Sequence, residues 1–361
     1  MKFNRRLRTL SVGLTAASLA ILTACSTTTS TSSSSSSSSN APVGVALITK
    51  DSTNPFFVTM QKGAKEAAPG LGVSLTIASG SKDGDEDGQV KAIEQAVARG
   101  DKGILILSNG PSVETAIKKA RAAGLYAIAL DTPPTGKDVV DITFATDNRE
   151  AGRLIGKWAA AQLNGKPADI AQLVAFTDKV ISVDYLRDQG FLEGMGINTA
   201  DANKNGDEAK TGNYSGGTYN LACLEPGGGA EDGGRTGMET CLQKDPKINV
   251  VYTINEPTAV GARAALKAAG ITEAVVVSVD GGCAGVKNVK DGLIGATSQQ
   301  YPLKMATLGM EAIVKLARTG QKPTTSDGLD FFNTGVQLVT DKPVAGIPSI
   351  DTTKGLQLCW G

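Results

Sequence analysis

Short apolar runs and amphipathic stretches take turns along residues 42–361. Val43 to Ile48 is an almost unbroken apolar run, the mark of a strand buried on both faces. Pro55 then opens a stretch in which Phe57, Met60, Ala64 and Ala67 recur at helical spacing. The pair repeats as a strand over 73–78 and a helix over 85–98 with Val90, Ile93 and Val97 on one face. Strands over 104–107 and 126–130 follow, separated by a helix over 113–123 that Gly124 stops. Strand–helix–strand repeats of this length predict a parallel sheet covered by helices on both faces. The pattern restarts after Asp147-Asn148, with a helix over 150–163, a strand over 170–176 and a helix over 183–194. Residues 198–236 break the rhythm with Gly, Asn and Asp and are expected to run over the surface. Helices over 237–243, 257–269 and 301–318, strands over 249–253 and 274–279, and a strand-rich tail over 329–339 complete the chain. The reading is α/β, with two lobes of similar size and the chain passing between them more than once.

The N-terminus has a different character. Lys2, Arg5, Arg6 and Arg8 precede an apolar stretch from Leu10 to Leu22, too short to span a bilayer and typical of a cleavable export signal. Leu22-Thr-Ala-Cys25 closes it and resembles the lipobox of bacterial lipoproteins, in which Cys25 takes the lipid. Residues 1–24 are thus expected to be removed, and 25–41, nearly all Ser and Thr, to form a flexible tether. The protein is expected outside the cytoplasm, anchored to the bacterial cell membrane through Cys25 or else periplasmic.

Composition narrows the chemistry. The sequence balances 36 basic against 36 acidic residues, and loss of the leader leaves a mildly acidic body with no basic field for nucleic acid. There is no histidine, which excludes Ser-His-Asp and Cys-His triads and histidine-ligated metals. Besides Cys25 the chain has Cys223, Cys241, Cys283 and Cys359. Four cysteines in an exported protein suggest two disulfides with three possible connectivities. Cys223–Cys241 with Cys283–Cys359 is preferred, because the first two flank one Gly-rich loop.

Ligands of open α/β sheets bind beyond the carboxyl ends of the strands, and here those ends are polar. Lys50, Asn54, Phe56 and Phe57 follow the first strand, Asn109 the third and Asp131 the fourth. Asn255 and Glu256 follow the strand over 249–253, Asp280 the one over 274–279, and Gln300 ends the segment from Gly295. Carboxylates and amides pair with vicinal hydroxyls, and aromatic faces pack on the C–H side of a sugar ring. Each residue also has a simpler reading. Asn54 and Asn255 suit helix N-caps, Asp131 and Asp280 suit turns, and Phe56 or Phe57 suits the core. Their recurrence at successive strand ends favours a site.

Asn54-Pro-Phe-Phe57, Leu130-Asp131, Ala145-Thr-Asp-Asn148, Arg187-Asp-Gln-Gly-Phe191, Asn255-Glu256, Val279-Asp-Gly281 and Gln300-Tyr-Pro302 resemble the periplasmic sugar-binding proteins of ribose and fructose ABC transporters. The resemblance covers residues 42–361 and is strongest to the fructose-type branch over 254–257, 277–283 and 295–303. It implies a type I periplasmic binding protein: two similar Rossmann-like lobes, 42–147 plus 301–328 and 148–300 plus 329–361, joined by a three-segment hinge. It implies a sugar cleft lined by Asn54, Phe56, Phe57, Asp131, Arg187, Asn255, Asp280 and Gln300. Thr132 and Val279 depart from the Arg and Phe of ribose binders, which re-shapes the pocket. The implied protein is a monomeric receptor, not an enzyme, with no cofactor or metal, delivering a monosaccharide (fructose first, then ribose, mannose or another pentose or hexose) to an ABC permease. An exported carbohydrate-active enzyme using Asp131 and Asp280, and a receptor for a chemotaxis partner, are the competing readings.

Asp201-Ala-Asn-Lys-Asn-Gly206 has the oxygen spacing of the first half of a calcium loop, but position 12 is Gly212 rather than a bidentate Glu. It reads as a polar turn.

Overall fold

The computed structural model describes residues 41–361; the expected leader, Cys25 and nearly all of the tether lie outside the described residues. The first lobe begins with β1 (Val43–Thr49), α1 (Pro55–Leu71), β2 (Val73–Ser79), α2 (Glu86–Arg99), β3 (Gly103–Ile106), α3 (Pro111–Ala122), β4 (Tyr126–Leu130) and β5 (Ile142–Ala145). Next come α4 (Asn148–Leu163), β6 (Ala168–Val174), α5 (Ser182–Met195), β7 (Thr211–Asn213), β8 (Thr218–Pro226), α6 (Glu231–Lys244), β9 (Val250–Thr253), α7 (Glu256–Ala268), β10 (Val275–Asp280), α8 (Cys283–Lys290) and β11 (Ala296–Gln299). The chain ends with α9 (Pro302–Thr319), β12 (Phe332–Asn333), β13 (Gln337–Val339), β14 (Ser349–Ile350) and α10 (Thr352–Leu358).

Two sheets result. The first has the order β12-β5-β4-β3-β1-β2 and the second β14-β13-β11-β10-β9-β6-β8-β7. All pairings in the first sheet are parallel, and in the second only β11–β13 and β7–β8 are antiparallel. Alternation along the strands sends side chains into two cores per sheet. Leu47, Leu105 and Ile128 pack under α1 and α9 with Met60 and Met310. Their neighbours Ile48, Ile104 and Ala127 pack on the other face with Ile93 and Ile117 of α2 and α3. The second sheet is covered by α4 and α5 on one face and by α6 and α7 on the other.

The chain passes between the sheets after β5, after β11 and after β12. The third passage differs from the expected boundary at residue 328. Phe332–Asn333 still pairs with β5 in the first sheet, where Phe332 stacks on Phe144 at 4.7 Å, so the crossing falls at 334–336.

The excursion over 198–236 also differs from expectation. It contains β8, which lies inside the second sheet against β6, and α6 begins at Glu231 rather than at residue 237. Tyr219, Leu221 and Cys223 of β8 are buried and alternate with partly exposed residues, a half-buried strand whose two-residue period is masked by its Gly- and Asn-rich flanks. Strand β11 has the sequence ATSQ and is wholly buried. Much of its polarity is satisfied inside: Ser298 Oγ donates to Ala151 O at 2.7 Å and Gln299 Nε2 to Gly281 O at 2.9 Å, while Gln299 Oε1 is buried without a partner.

Cys223 is bonded to Cys241 and Cys283 to Cys359, the preferred connectivity. The first bridge ties β8 to α6. The second ties the start of α8 to the C-terminal segment, where Trp360 pairs with Gly282 and Cys283 N donates to Trp360 O at 2.8 Å.

Candidate functional site

The carboxyl ends of both sheets face a common cleft, which holds a cavity of about 410 Å³. From the first sheet come Lys50, Asn54, Phe56, Phe57 and Asp131, and from the second Arg187, Asn255 and Asp280, with Gln300 on the second passage between sheets. Nine of the eleven residues named from the sequence therefore share one cavity. Asn109 does not. Its Nδ2 donates to Lys50 O and Asp85 O, both at 3.1 Å, and it lines an adjoining recess of about 370 Å³. Its role here is to hold the β1–α1 and β2–α2 loops together.

The β1–α1 loop is shaped by Asp51, whose Oδ1 accepts from Thr53 N at 2.7 Å and Asn54 N at 2.8 Å. Asn54 then caps α1 by accepting from Phe56 N at 2.9 Å. Phe56 is held edge-on by Phe57 at 5.7 Å and by Trp360 at 5.3 Å. The C-terminal Trp360, anchored by its neighbour Cys359, thus buttresses the aromatic wall.

Asp131 and Asp280 adopt φ of 62° and 146°, conformations that cost a non-glycine residue roughly 1–3 kcal/mol and cluster at functional sites. Both side chains are buried. Asp131 Oδ2 accepts from Thr132 Oγ1 at 2.9 Å, while its Oδ1 is buried without a protein donor. Asp280 Oδ1 accepts from Gln300 Nε2 at 2.8 Å and lies 3.9 Å from Arg187 Nη1. Burial raises the Asp280 pKa above the usual carboxylate range, with Asp131 adding to the rise and Arg187 opposing it.

Arg187 is fixed from three sides. Its Nε donates to Asn148 Oδ1 at 2.7 Å, its Nη1 to Ile254 O at 3.0 Å, and Asp280 completes the set. Helices α4 and α5 can place Asn148 and Arg187 this close because they meet at glycines. A Cβ on Gly152 or Gly156 of α4 would stand 2.2 Å from Arg187 O or 2.1 Å from Phe191 O, and one on Gly190 of α5 2.2 Å from Arg149 O. Gln300 links this cluster to the first passage, since Thr146 Oγ1 donates to its Oε1 at 3.2 Å.

Asn255 caps α7: its Oδ1 accepts from Thr258 N at 3.1 Å and Thr258 Oγ1 at 2.7 Å, and its Nδ2 donates to Gly229 O at 2.9 Å. Glu256, named beside it in the sequence, points away from the cavity. It is buried and accepts from Gly281 N at 2.8 Å, Gly282 N at 3.0 Å and Thr297 Oγ1 at 2.8 Å. It braces the turn that presents Asp280, and burial together with Asp280 pushes its pKa up.

Sequence reasoning overlooked Phe176, Asp83 and the 228–231 turn, all of which line the cavity. Phe176 follows β6 and obeys the strand-end rule applied elsewhere; Lys179 Nζ sits 5.0 Å from its ring centroid. Asp83 precedes α2 in a segment that reads as a solvated helix start.

A family profile described as "Periplasmic binding protein domain" matches residues 45–322. The ribose import binding protein of Salmonella typhimurium is 28% identical over 279 residues, covering 77% of this chain and 86% of that protein. The D-apiose import binding protein of Actinobacillus succinogenes is 31% identical over 283 residues, covering 76% and 82%. Among solved structures, a galactofuranose binding protein aligns with a TM-score of 0.70 at 25% identity, covering 82% of this chain and 94% of that one.

Proposed function

The chain belongs to the periplasmic binding proteins, and on that premise we propose that it is the extracytoplasmic receptor of an ABC importer, holding one monosaccharide in the cleft. The observation that carries the reading is the convergence of Asp131, Asp280, Arg187 and Phe56 from two sheets on one cavity. The buried Asp131 Oδ1 without a protein donor is the acceptor a sugar hydroxyl would satisfy. Phe56 and Phe57 supply apolar surface for the ring.

Fructose is the first candidate, with ribose, mannose and other pentoses or hexoses next. Ribose, apiose and galactofuranose, named in the relatives' descriptions, are sugars with five-membered-ring forms, and fructose has one too. Closure follows from the wiring: a sugar bound to both Asp131 and Asp280 ties the two sheets together, and Asp280 is bonded to Gln300 on a passage between them. The permease would dock on the closed form. The lipid at Cys25 would keep a monomeric receptor beside it on a Ser/Thr leash.

Calorimetry of the mature protein against fructose, ribose, mannose, galactose and xylose tests the reading. One sugar should release heat and raise the melting temperature, because a ligand at a hundred times its Kd stabilises the native state by about 2.7 kcal/mol. Silence with all five, or turnover of a glycoside that Asp131→Asn abolishes, would overturn it.

A further inference from the structure

Strands β13 and β14 belong to the second sheet, yet the segment that follows α10 returns to the first lobe. Trp360 packs in the core under α1 and α9 with Phe56, Phe57 and Met60 and is 6% exposed. Its ring stands edge-on to Phe56 at 5.3 Å, and its Nε1 donates to Gln300 O at 2.8 Å. The backbone of the same residue stays with the second lobe. It bridges to Gly282 and accepts from Cys283 N at 2.8 Å, and the preceding Cys359 is bonded to Cys283 at the start of α8. One residue thus has its backbone on one lobe and its ring in the other.

Three parts of the cavity wall meet at this point. Phe56 is the aromatic part. Gln300 carries the Nε2 that donates to Asp280 Oδ1 at 2.8 Å. Cys283 comes three residues after Asp280, past the Gly281-Gly282 turn whose N–H groups Glu256 accepts. Trp360 itself does not line the cavity, so any effect it has on a ligand passes through these neighbours.

We propose that Trp360, held by the Cys283–Cys359 bond, is a positioning residue of the sugar site and a non-covalent clasp between the lobes; the proposal rests on the receptor reading above. Phe56 stands in the first turn of α1, where a ring gripped from two sides, by Phe57 and by Trp360, meets the sugar already in place. Ordering a ligand-facing group before binding raises affinity, because that ordering no longer opposes association. The indole is suited to the task, since its face and edge pack while its N–H fixes the Gln300 carbonyl. The cross-link supplies the hold that a two-residue segment beyond a short helix lacks, by restricting the conformations open to it. The other disulfide provides a built-in comparison. Cys223–Cys241 joins β8 to the last turn of α6 in the core on the α6–α7 face of the second sheet.

The experiment removes each bond in turn from the mature protein, as Cys283→Ser with Cys359→Ser and as Cys223→Ser with Cys241→Ser. Trp360→Ala and Trp360→Phe are made with both bonds intact, so that the test survives if a serine pair fails to fold. Calorimetry with a monosaccharide that the wild type binds gives affinity, sugar-free melts give stability, and acrylamide quenching of tryptophan reports the exposure of Trp360. Loss of Cys283–Cys359 should weaken binding about tenfold, equal to about 1.4 kcal/mol, and make the fluorescence easier to quench. Loss of Cys223–Cys241 should lower the melting temperature and leave affinity within about threefold of wild type. Trp360→Ala should reproduce the tenfold loss, and Trp360→Phe, which keeps an edge for Phe56, should recover most of it. Wild-type affinity in Trp360→Ala, or an equal loss on removing Cys223–Cys241, would overturn the proposal and leave the receptor reading standing. Failure of the wild type to bind any monosaccharide would sink that reading, and this proposal with it.

Discussion

Asp280→Asn separates what Asp280 does for the ligand from what it does for the fold. The two side chains have the same shape, and an asparagine oxygen can still accept from Gln300 Nε2, now at 2.8 Å from the carboxylate. Asparagine also tolerates the positive φ of 146° better than most residues. Arg187 keeps its bonds to Asn148 and Ile254. The substitution therefore removes one charge and little else. A hydrogen bond to a charged acceptor contributes about 1.5–3 kcal/mol, so affinity for the bound sugar should drop about 10- to 150-fold. Stability without sugar should move the other way or not at all, because the buried carboxylate is held above its ordinary pKa by desolvation and asparagine carries no such penalty. Calorimetry and paired melts with and without sugar measure both. The wild type should also bind more weakly as pH falls and Asp280 takes up its proton, while the variant stays flat. Affinity within threefold of wild type would refute the assignment. A sugar-free melting temperature lowered by several degrees would instead make Asp280 a structural residue.

Three further outcomes follow from the same geometry. Gly156→Ala would bring a Cβ to 2.1 Å from Phe191 O, so forcing α4 off α5 should cost about 1–3 kcal/mol and weaken sugar binding through Arg187; urea titration and calorimetry check the two effects. Trp360 donates Nε1–H to Gln300 O at 2.8 Å and touches Phe56, so sugar binding should change tryptophan fluorescence and Trp360→Phe should abolish the change, leaving only distant Trp158. Asp184 accepts from Ala175 N and Phe176 N, yet burial lifts its pKa from 3.8 to about 6. A raised carboxyl pKa stabilises the fold below pH 4 and withdraws that stability as pH rises through 6, a swing of about 3 kcal/mol. Asp184→Asn should flatten the denaturant midpoint over that range.

Strands β1, β3 and β4 of the first sheet were legible because each is a run of apolar residues buried on both faces, and the strand-end rule then located the cleft without any knowledge of side-chain positions. Strands that broke the rule were polar or half-buried. Ala296–Gln299 contains no large apolar residue, yet every side chain is inside; its burial depends on partners such as Ala151 and Gly281, far away in sequence. Strand β8 hides its period among Gly and Asn because it sits next to the edge of its sheet, with one face half open. Asn109 was misplaced for a related reason. The rule predicts that a residue lies near the cleft, but not whether its amide nitrogen is already held by neighbouring carbonyls, as those of Lys50 and Asp85 hold this one.

Capping and lining were set against each other in the sequence, and the structure shows they are not alternatives. Asn54 and Asn255 cap α1 and α7 and also face the cavity. The geometry makes this coincidence necessary. In a parallel α/β sheet the loop that leaves a strand's carboxyl end starts the next helix, so helix N-termini and their caps ring the cleft. A cap accepts from backbone N–H groups with its oxygen, leaving an asparagine amide free to hold something else. Asn255 already spends its amide on Gly229 O, and its side chain thus fixes the 228–231 turn as one wall of the cavity. Asp131 and Asp280 are different: each precedes a turn at positive φ, caps no helix, and keeps carboxylate oxygen turned toward the space between the sheets. The residues with a complete structural explanation therefore build the walls, and Asp131, whose Oδ1 is buried without a protein donor, is the strained carboxylate at which the proposed sugar would supply a missing partner.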